Sequence, residues 1–505
     1  MTSAEEMVRK ILQARVYDVA RETPLDAMPV LQHRLGQKIF LKREDLQEVF
    51  SFKLRGAYNR IARLSPEELS RGVICASAGN HAQGVALAAK RRGCRAVIVM
   101  PQTTPDIKVD SVRQRGAEVV LWGDSFDEAV RHAREIELRE HQVFIHPYDD
   151  LDVMAGQGTV AMEILRQITE PVHAIFIPLG GGGLIGGMAP YIKYVRPDIR
   201  VVGVEAEDSA CLLAALRHGK RVTLDHVGLF ADGVAVAQVG ELPFAMACQY
   251  VDEVITVSVD EISAAIKDIF DDTRSIAEPS GALALAGLKK YVQQHGAQSA
   301  AMIAIDSGAN INFDRLRNIS ERTEFAERRE AVFAVAIPEK SGAFLAFCEA
   351  LGKRNVTEFN YRYANDEIAH VFVGLQLRQG EREKQEVIEN LLAQGYIVQD
   401  LSDDELATLH IRHLVGGHAG LADELIFRFE FPERPGALLQ FLTRMGSIFN
   451  ISLFHYRNHG AAFGKVLMGM QLGHHRRDDL LASLHAVGYD FQEETSNPAY
   501  RLFLR

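Results

Sequence analysis

Between Arg71 and Leu316 the chain carries eight short apolar runs: GVICAS, RAVIVMP, AEVVLW, QVFIHP, HAIFIPL, RVVGVEA, EVITVS and AAMIAID. Each is bounded by glycine, proline or a polar turn, and stretches of helical period separate them. Short runs without polar alternation fit strands buried on both faces, and the intervening helices supply the crossovers that parallel pairing requires. This region is α/β. At 505 residues the chain is too long for one compact unit, and roughly 150 residues per domain predicts about three. With 47% hydrophobic and 24% charged residues it is neither disordered nor collagenous nor a coiled coil.

A formal charge of -11 leaves no net positive field to gather a phosphate backbone or anionic lipid, so nucleic acid and membrane surfaces are not expected partners. The five cysteines, Cys75, Cys94, Cys211, Cys248 and Cys348, show no paired spacing and read as reduced thiols of a cytoplasmic protein. The N-terminal stretch MTSAEEMVRKILQARVYDVARETPL reads as an amphipathic polar helix without a signal-like apolar core, and no later run reaches the ~18 apolar residues of a membrane span. No metal site is expected: His474, His475, Arg476 and Arg477 form a polar run without ligand spacing.

The character changes after Arg317. ISERTEFAERREAV reads as a helical connector, and beyond it the chain repeats itself. AVAIPEKSGAFLAFCEALGKRNVTEFNYR (Ala334 to Arg362) matches FEFPERPGALLQFLTRMGSIFNISLFHYR (Phe429 to Arg457). Pro338, Gly342, Phe347 and Gly352 pair with Pro432, Gly436, Phe441 and Gly446; after one inserted residue, Phe359, Tyr361 and Arg362 pair with Phe454, Tyr456 and Arg457. Each copy reads as strand, turn, helix, glycine cap and strand, a duplicated α+β module that serves either assembly or small-molecule sensing.

Four segments of the α/β region carry chemistry. Lys53, in SFKLRGAYN, has apolar neighbours; poor hydration lowers the pKa of such an amine and frees it to attack a carbonyl, although a solvated helix lysine fits the same string. Ser77-Ala78-Gly79-Asn80-His81 follows a strand and opens a helix, which makes it either a carboxylate holder or an ordinary N-cap. The basic cluster Lys90, Arg91, Arg92 before Gly93 reads as that helix's C-terminus. Gly180-Gly181-Gly182-Gly183-Leu184 follows HAIFIPL and points several N–H groups at one anion, normally phosphate. Gly181, Gly183 and Gly186 with Glu205 also fit a dinucleotide fingerprint, and the spacing leaves the two cofactors open. Asp306 and Ser307 end the strand AAMIAID; alternation lets only one of them face a site there.

Taken together, SFKLRGAYN, SAGNHAQGVA, GGGGL, VGVEAEDSACL, AEPSGALALAG and SGANINF resemble the biosynthetic threonine deaminases (threonine dehydratases), pyridoxal-phosphate (PLP) enzymes of the tryptophan-synthase-β-like, fold type II group. VTEFNYR and NISLFHYR are similar to that family's paired ACT-like regulatory domains. The resemblance implies an α/β catalytic part over 1–320 built of two open twisted lobes, the small one about 44–150 inserted into the large one. It further implies a connector over 321–330 and two ACT-like, ferredoxin-like domains over 331–403 and 425–496. Lys53 would bind PLP covalently, Phe52 pack on its ring, Asn80 bond its 3'-oxygen, Gly180 to Leu184 hold its phosphate and Ser307 face its pyridine nitrogen. Ser77 to His81 would receive the substrate carboxylate. The family usually has an apolar residue where this chain has Asp306.

The implied activity is deamination of L-threonine to 2-oxobutanoate and ammonia, the committed step of isoleucine synthesis, by a cytoplasmic homotetramer that isoleucine inhibits and valine relieves. Effector contacts are expected at Phe359, Asn360, Tyr361 and Arg362 and at Phe454, His455, Tyr456 and Arg457. Competing readings are a PLP serine dehydratase or racemase, an NAD-binding oxidoreductase, and a non-catalytic amino-acid sensor.

Overall fold

All eight apolar runs are strands in the computed structural model, which describes residues 3–313, 315–326, 330–338, 347, 350–351, 356–361, 368–377, 380–411, 424–432, 450–457, 463–472 and 476–504. They divide between two sheets. Val73–Ala76, Ala96–Met100, Glu118–Leu121 and Val143–Phe144 make a four-stranded, fully parallel sheet. Val172–Pro178, Arg200–Ala206, Glu253–Val257 and Ala301–Asp306 pair in parallel with one another and with Ile39–Arg43, and Leu25–Ala27 adds an antiparallel edge. Across this larger sheet the order is 25–27, 39–43, 301–306, 172–178, 200–206, 253–257. The smaller sheet is thus an insertion between two strands of the larger one.

Side-chain alternation buries both faces of each sheet. Ile303 and Ile305 join Ile175, Ile177 and Val201 in one core, while Met302 and Ala304 join Phe176, Val202 and Val204 in the other. The helix Asn80–Arg92 packs on the smaller sheet through Ala82, Val85, Ala86 and Ala89 and stops at Gly93, whose φ of 68° suits a left-handed C-cap. Lys90, Arg91 and Arg92 lie in its last turn, where the helix dipole favours cations. The N-terminal helix is shorter than its sequence suggests and covers only Ala4–Leu12, with Met7, Val8 and Ile11 buried. Tertiary bonds stop it: the Arg15 amide donates to Asn59 Oδ1 at 3.0 Å and the Tyr17 hydroxyl to Glu163 at 2.9 Å.

The chain separates into two compact units, Met1–Ile319 and Ser320–Arg505. In the second, strands 330–338, 356–361, 368–376 and 397–400 form an antiparallel sheet in the order 356–361, 368–376, 330–338, 397–400. Strands 424–432, 450–457, 463–471 and 490–493 repeat that order. Even an irregularity is duplicated. The register slips between Val356 and Glu358 in one copy and between Ile451 and Leu453 in the other, at positions the sequence repeat aligns. Helices Glu381–Ala393 and Arg477–Val487 occupy matching places. This is the ferredoxin-like arrangement, present twice. Val332, Ala334 and Phe372 of the first sheet share a core with Ile426 and Leu467 of the second and with Tyr500 and Phe503 of the C-terminal helix Pro498–Phe503.

Cys75, Cys94, Cys211 and Cys248 are free thiols; Cys348, His474 and His475 lie outside the described residues. Among the described residues no helix is long and apolar enough to cross a membrane.

Candidate active site

Lys53 begins the helix Lys53–Ala62, whose Ala57, Tyr58 and Ile61 pack on the smaller sheet. Burial of its amine lowers the pKa to about 8, against a smaller upward pull from Glu278. The amine donates to the Pro147 carbonyl at 3.3 Å and stands 5.3 Å from the centre of the Phe52 ring. His146 fixes that carbonyl's corner, its Nδ1 accepting the Tyr148 and Asp149 amides at 3.3 and 2.8 Å. Burial lowers the His146 pKa to about 4, so the imidazole is neutral and its acceptor nitrogen stays available.

The Lys53 loop is tied to the far end of the catalytic unit. Phe50 sits at φ 54°, an uncommon conformation for a residue with a side chain, and its carbonyl accepts the Ala309 amide at 2.9 Å. Ser51 bridges to Gly308, and the Phe52 amide donates to the Ser307 carbonyl at 3.3 Å. Two of the four chemical segments therefore meet through backbone bonds.

The third segment joins them through Asn80. Its amide nitrogen donates to Glu278 Oε1 at 2.5 Å and its oxygen accepts from Asn310 Nδ2 at 2.7 Å, which leaves one N–H for a ligand. Asn80 does not cap its own helix. Ser77 does that work, its hydroxyl accepting the Gly79 and Ala82 amides at 3.3 Å each. His81 is buried, bonds the Ile145 carbonyl through Nε2 at 2.9 Å and has its pKa lowered to about 3 by burial and Lys53. A neutral His81 adds only its backbone amide to an anion site at this helix start. Gly84, one turn on, lets the Lys53 helix come close: a Cβ there would lie 3.2 Å from the backbone of Lys53 and Leu54.

Gly180 to Leu184 run from the strand Val172–Pro178 into the helix Gly183–Val195, with Gly182 at φ 89°. Among the described residues, the amides of this loop meet no acceptor of the protein. Free N–H groups at a helix N-terminus suit a phosphate. The loop leaves no room for side chains: a Cβ on Gly180 would be 2.6 Å from the Val234 carbonyl, and one on Gly181 would be 2.3 Å from the Tyr148 ring. Tyr148 is the neighbour of Pro147, so one corner touches both the amine and the cradle. Replacing Gly181 by Ala is expected to force the loop outward and weaken PLP binding about 10–100-fold, readable by fluorescence titration of the apoenzyme. Glu205, the acid of the dinucleotide fingerprint, turns away from any ribose: its buried carboxylate accepts the Leu212 and Leu213 amides at 2.8 and 2.9 Å, and burial pushes its pKa up to about 7.

At the strand end, Asp306 falls on the Met302 and Ala304 face. It is buried, and burial together with Asp45 raises its pKa well above the carboxylate range. Alternation sends Ser307 the other way, where its hydroxyl bonds the Ser280 carbonyl at 3.1 Å. A buried amine of lowered pKa, an amide with one free donor, a row of free N–H groups and a hydroxyl are chemically suited to hold PLP.

Glu278 is a site residue that sequence reasoning passed over, though AEPSGALALAG contains it. It is buried, and burial and Asp232 raise its pKa while Asn80 and Ser280 bond it. Its signal was an acid directly before Pro279, the first residue of the helix Pro279–His295. Asn310, in the quoted SGANINF, was likewise given no role. Of the expected effector residues, Arg362 lies outside the described residues; Phe359, Asn360 and Tyr361 and Phe454, His455, Tyr456 and Arg457 lie on equivalent strands, described in backbone only.

Residues 16–308 match the model of the pyridoxal-phosphate dependent enzyme family, and 321–411 and 415–504 each match the C-terminal regulatory domain of threonine dehydratase. The chain is 54% identical to the biosynthetic L-threonine dehydratase IlvA of Burkholderia multivorans, covering 99% of this chain and 100% of that protein. Against the Escherichia coli enzyme it is 52% identical over 99% of this chain and 97% of the relative. The structure of the processed form of threonine deaminase isoform 2 from Solanum lycopersicum superposes with a TM-score of 0.62 at 50% identity, covering 63% of this chain and 93% of that one. With a PLP-type catalytic unit and two regulatory repeats matched from end to end, the chain belongs to the biosynthetic threonine dehydratases, a PLP-dependent family.

Proposed function

We propose that this protein deaminates L-threonine to 2-oxobutanoate and ammonia at the start of isoleucine synthesis. The observation that supports this most is the buried Lys53 amine, bonded to the Pro147–Tyr148 corner that also walls the glycine cradle. When bound, PLP supplies the electron sink that acidifies the threonine Cα–H and lets the β-hydroxyl leave. Lys53 would hold the cofactor and, once displaced by substrate, take the Cα proton on its Nζ; a pKa of about 8 keeps a useful fraction of that amine neutral near physiological pH. Asn80 would donate its remaining N–H to the ring oxygen, Gly180 to Leu184 would hold the phosphate, and Ser307 would face the ring nitrogen. The helix start at Ser77 to His81 would orient the substrate carboxylate. The unsaturated amine that leaves tautomerises and is hydrolysed in water.

The duplicated modules are proposed to bind isoleucine as inhibitor and valine as its antagonist, in a cytoplasmic homotetramer. Bound effector can act on catalysis only by favouring one of two arrangements of the chain. The test is 2-oxobutanoate release from threonine with and without isoleucine. Turnover that isoleucine suppresses is the expected result. Turnover of serine alone would replace the substrate, and an absent isoleucine response would remove the regulatory half of the proposal.

A further inference from the structure

Asp232 meets two cations, one at each carboxylate oxygen. It opens the short turn Asp232–Val234 in the catalytic unit. Lys108, on the helix Asp106–Gln114 of the smaller lobe, reaches its Oδ2 at 2.6 Å. Arg315 lies 3.4 Å from Oδ1 and also donates to the Leu229 carbonyl at 3.0 Å. Burial pushes the Asp232 carboxyl up, but the two cations outweigh it and hold the pKa below the ordinary range, so the group is ionised. Charge-assisted bonds in half-buried surroundings are among the stronger polar contacts.

The position of this turn gives the triad its interest. Val234 closes over Gly180 of the cradle, with its carbonyl 2.6 Å from where a Gly180 Cβ would be. Gly233 abuts Ser280 and Glu278, the residues that bond Ser307 and Asn80: a Cβ there would lie 2.3 Å from Ser280 Oγ and 3.5 Å from Glu278 Oε1. On its other side, Arg315 is the first residue of the helix Arg315–Ala326, along which the chain passes from the first compact unit into the second. Lys108 belongs to the lobe that carries Asn80 and the Ser77 helix start, the segment proposed above to orient the substrate carboxylate.

We propose that Asp232 is a positioning residue: through Lys108 it clamps the smaller lobe over the substrate, and through Arg315 the connecting helix sets how firmly that clamp closes. None of the three touches the reacting atoms. The inference rests on the threonine-deaminating reading for its kinetic assay, and its second measurement does not.

In the holoenzyme, Lys108→Met and Asp232→Asn are each expected to raise KM for threonine ~10-fold while kcat stays within about 2-fold, as loss of a charge-assisted bond used in closure requires. The double variant should match Asp232→Asn alone, because once the carboxylate is neutral Lys108 has no charged partner left to lose. Lys108→Arg should restore KM, and Arg315→Gln should raise KM while shifting the isoleucine midpoint several-fold. Amide hydrogen exchange without substrate is the independent readout: residues 77–83 and 106–114 should exchange ~10-fold faster in Lys108→Met, as opening of the lobe demands. Unchanged KM in Lys108→Met, fully additive effects in the double variant, or unchanged exchange would overturn the clamp. If the parent protein fails to turn over threonine, the functional reading falls and exchange alone decides the clamp, faster exchange supporting it and unchanged exchange ending it.

Discussion

Replacing Lys53 by Met is expected to abolish turnover, by about 10⁴-fold or more, and at the same time to make the apoenzyme more stable at neutral pH. The two effects share a cause. Burial moves the amine from its ordinary 10.5 to about 8, which means the fold disfavours the charged form. That shift corresponds to about 3 kcal/mol at pH values below both pKa values. The unfolded chain binds more protons than the native one between about pH 8 and 10.5, so native stability should rise with pH across that window. Met keeps the apolar stem and has no proton to bind. The stability gap between variant and parent should therefore be largest below pH 8 and close as the pH approaches 10.5, measured by denaturant unfolding of both apoenzymes. The same titration governs cofactor capture: as only the neutral amine reacts, the rate of PLP attachment should rise with pH and be half-maximal near pH 8, followed by absorbance. A variant that retains activity, or a gap that widens with pH, would contradict this account.

Arg55→Met, two residues on, should instead unfold easily, with a loss of about 3–5 kcal/mol. Arg55 is fully buried and every donor of its guanidinium is engaged. It holds Glu44 through Nε and Nη2 at 2.7 and 2.8 Å and Glu163 through Nη1 and Nη2 at 2.6 and 3.0 Å, with Thr159 and the Arg21 carbonyl completing the set. Lys42, also fully buried, adds a bond to Glu163 at 2.7 Å and another to the Thr23 carbonyl at 2.6 Å. Two cations face two carboxylates, and removing one leaves an uncompensated charge in an apolar interior. Burial alone would raise the Glu163 pKa; Arg55 and Lys42 bring it below the ordinary value. Glu163→Gln should cost a similar amount, and the Arg55→Met, Glu163→Met pair less than the sum, a coupling that a double-mutant cycle measures directly. The Lys53 helix begins two residues before this network, so the variants should also loosen PLP binding.

These two residues show what could be seen in the sequence and what could not. Lys53, Asn80, Gly180 to Leu184 and Ser307 stand at the ends of strands or starts of helices, where turn chemistry and glycine make a segment conspicuous. The eight apolar runs showed the parallel sheets for the same reason, since burial on both faces leaves no alternation to blur them. Arg55 was in plain view within SFKLRGAYN yet carried no role, because its partners come from residues 21, 44, 159 and 163 and only folding assembles them. Glu163 gave one signal, a lone acid inside the apolar helical stretch VAMEILRQ. Glu278 likewise gave one signal, its place directly before Pro279, and Asp232 gave none; each is defined by a contact across the lobes, to Asn80 and to Lys108. The N-terminal helix ends at Leu12 although its amphipathic pattern runs on, because the side chains of Asn59 and Glu163 recruit Arg15 and Tyr17.

The place of the strand Ala301–Asp306 in its sheet bears on how the protein is made. It is the last strand of the catalytic unit to be synthesised, yet it lies between Ile39–Arg43 and Val172–Pro178. At ordinary ribosomal rates of 5–20 residues per second, about 15–60 s separate the start of synthesis from its appearance. Until then the two flanking strands each present an unpaired edge at what will become the middle of a sheet. A chain interrupted before residue 301 would hold most of the residues of the site and none of the wedge that joins them. Nascent chains of this protein are therefore expected to depend on chaperone cover over that interval, with the final strand acting as the keystone that both closes the sheet and delivers Ser307.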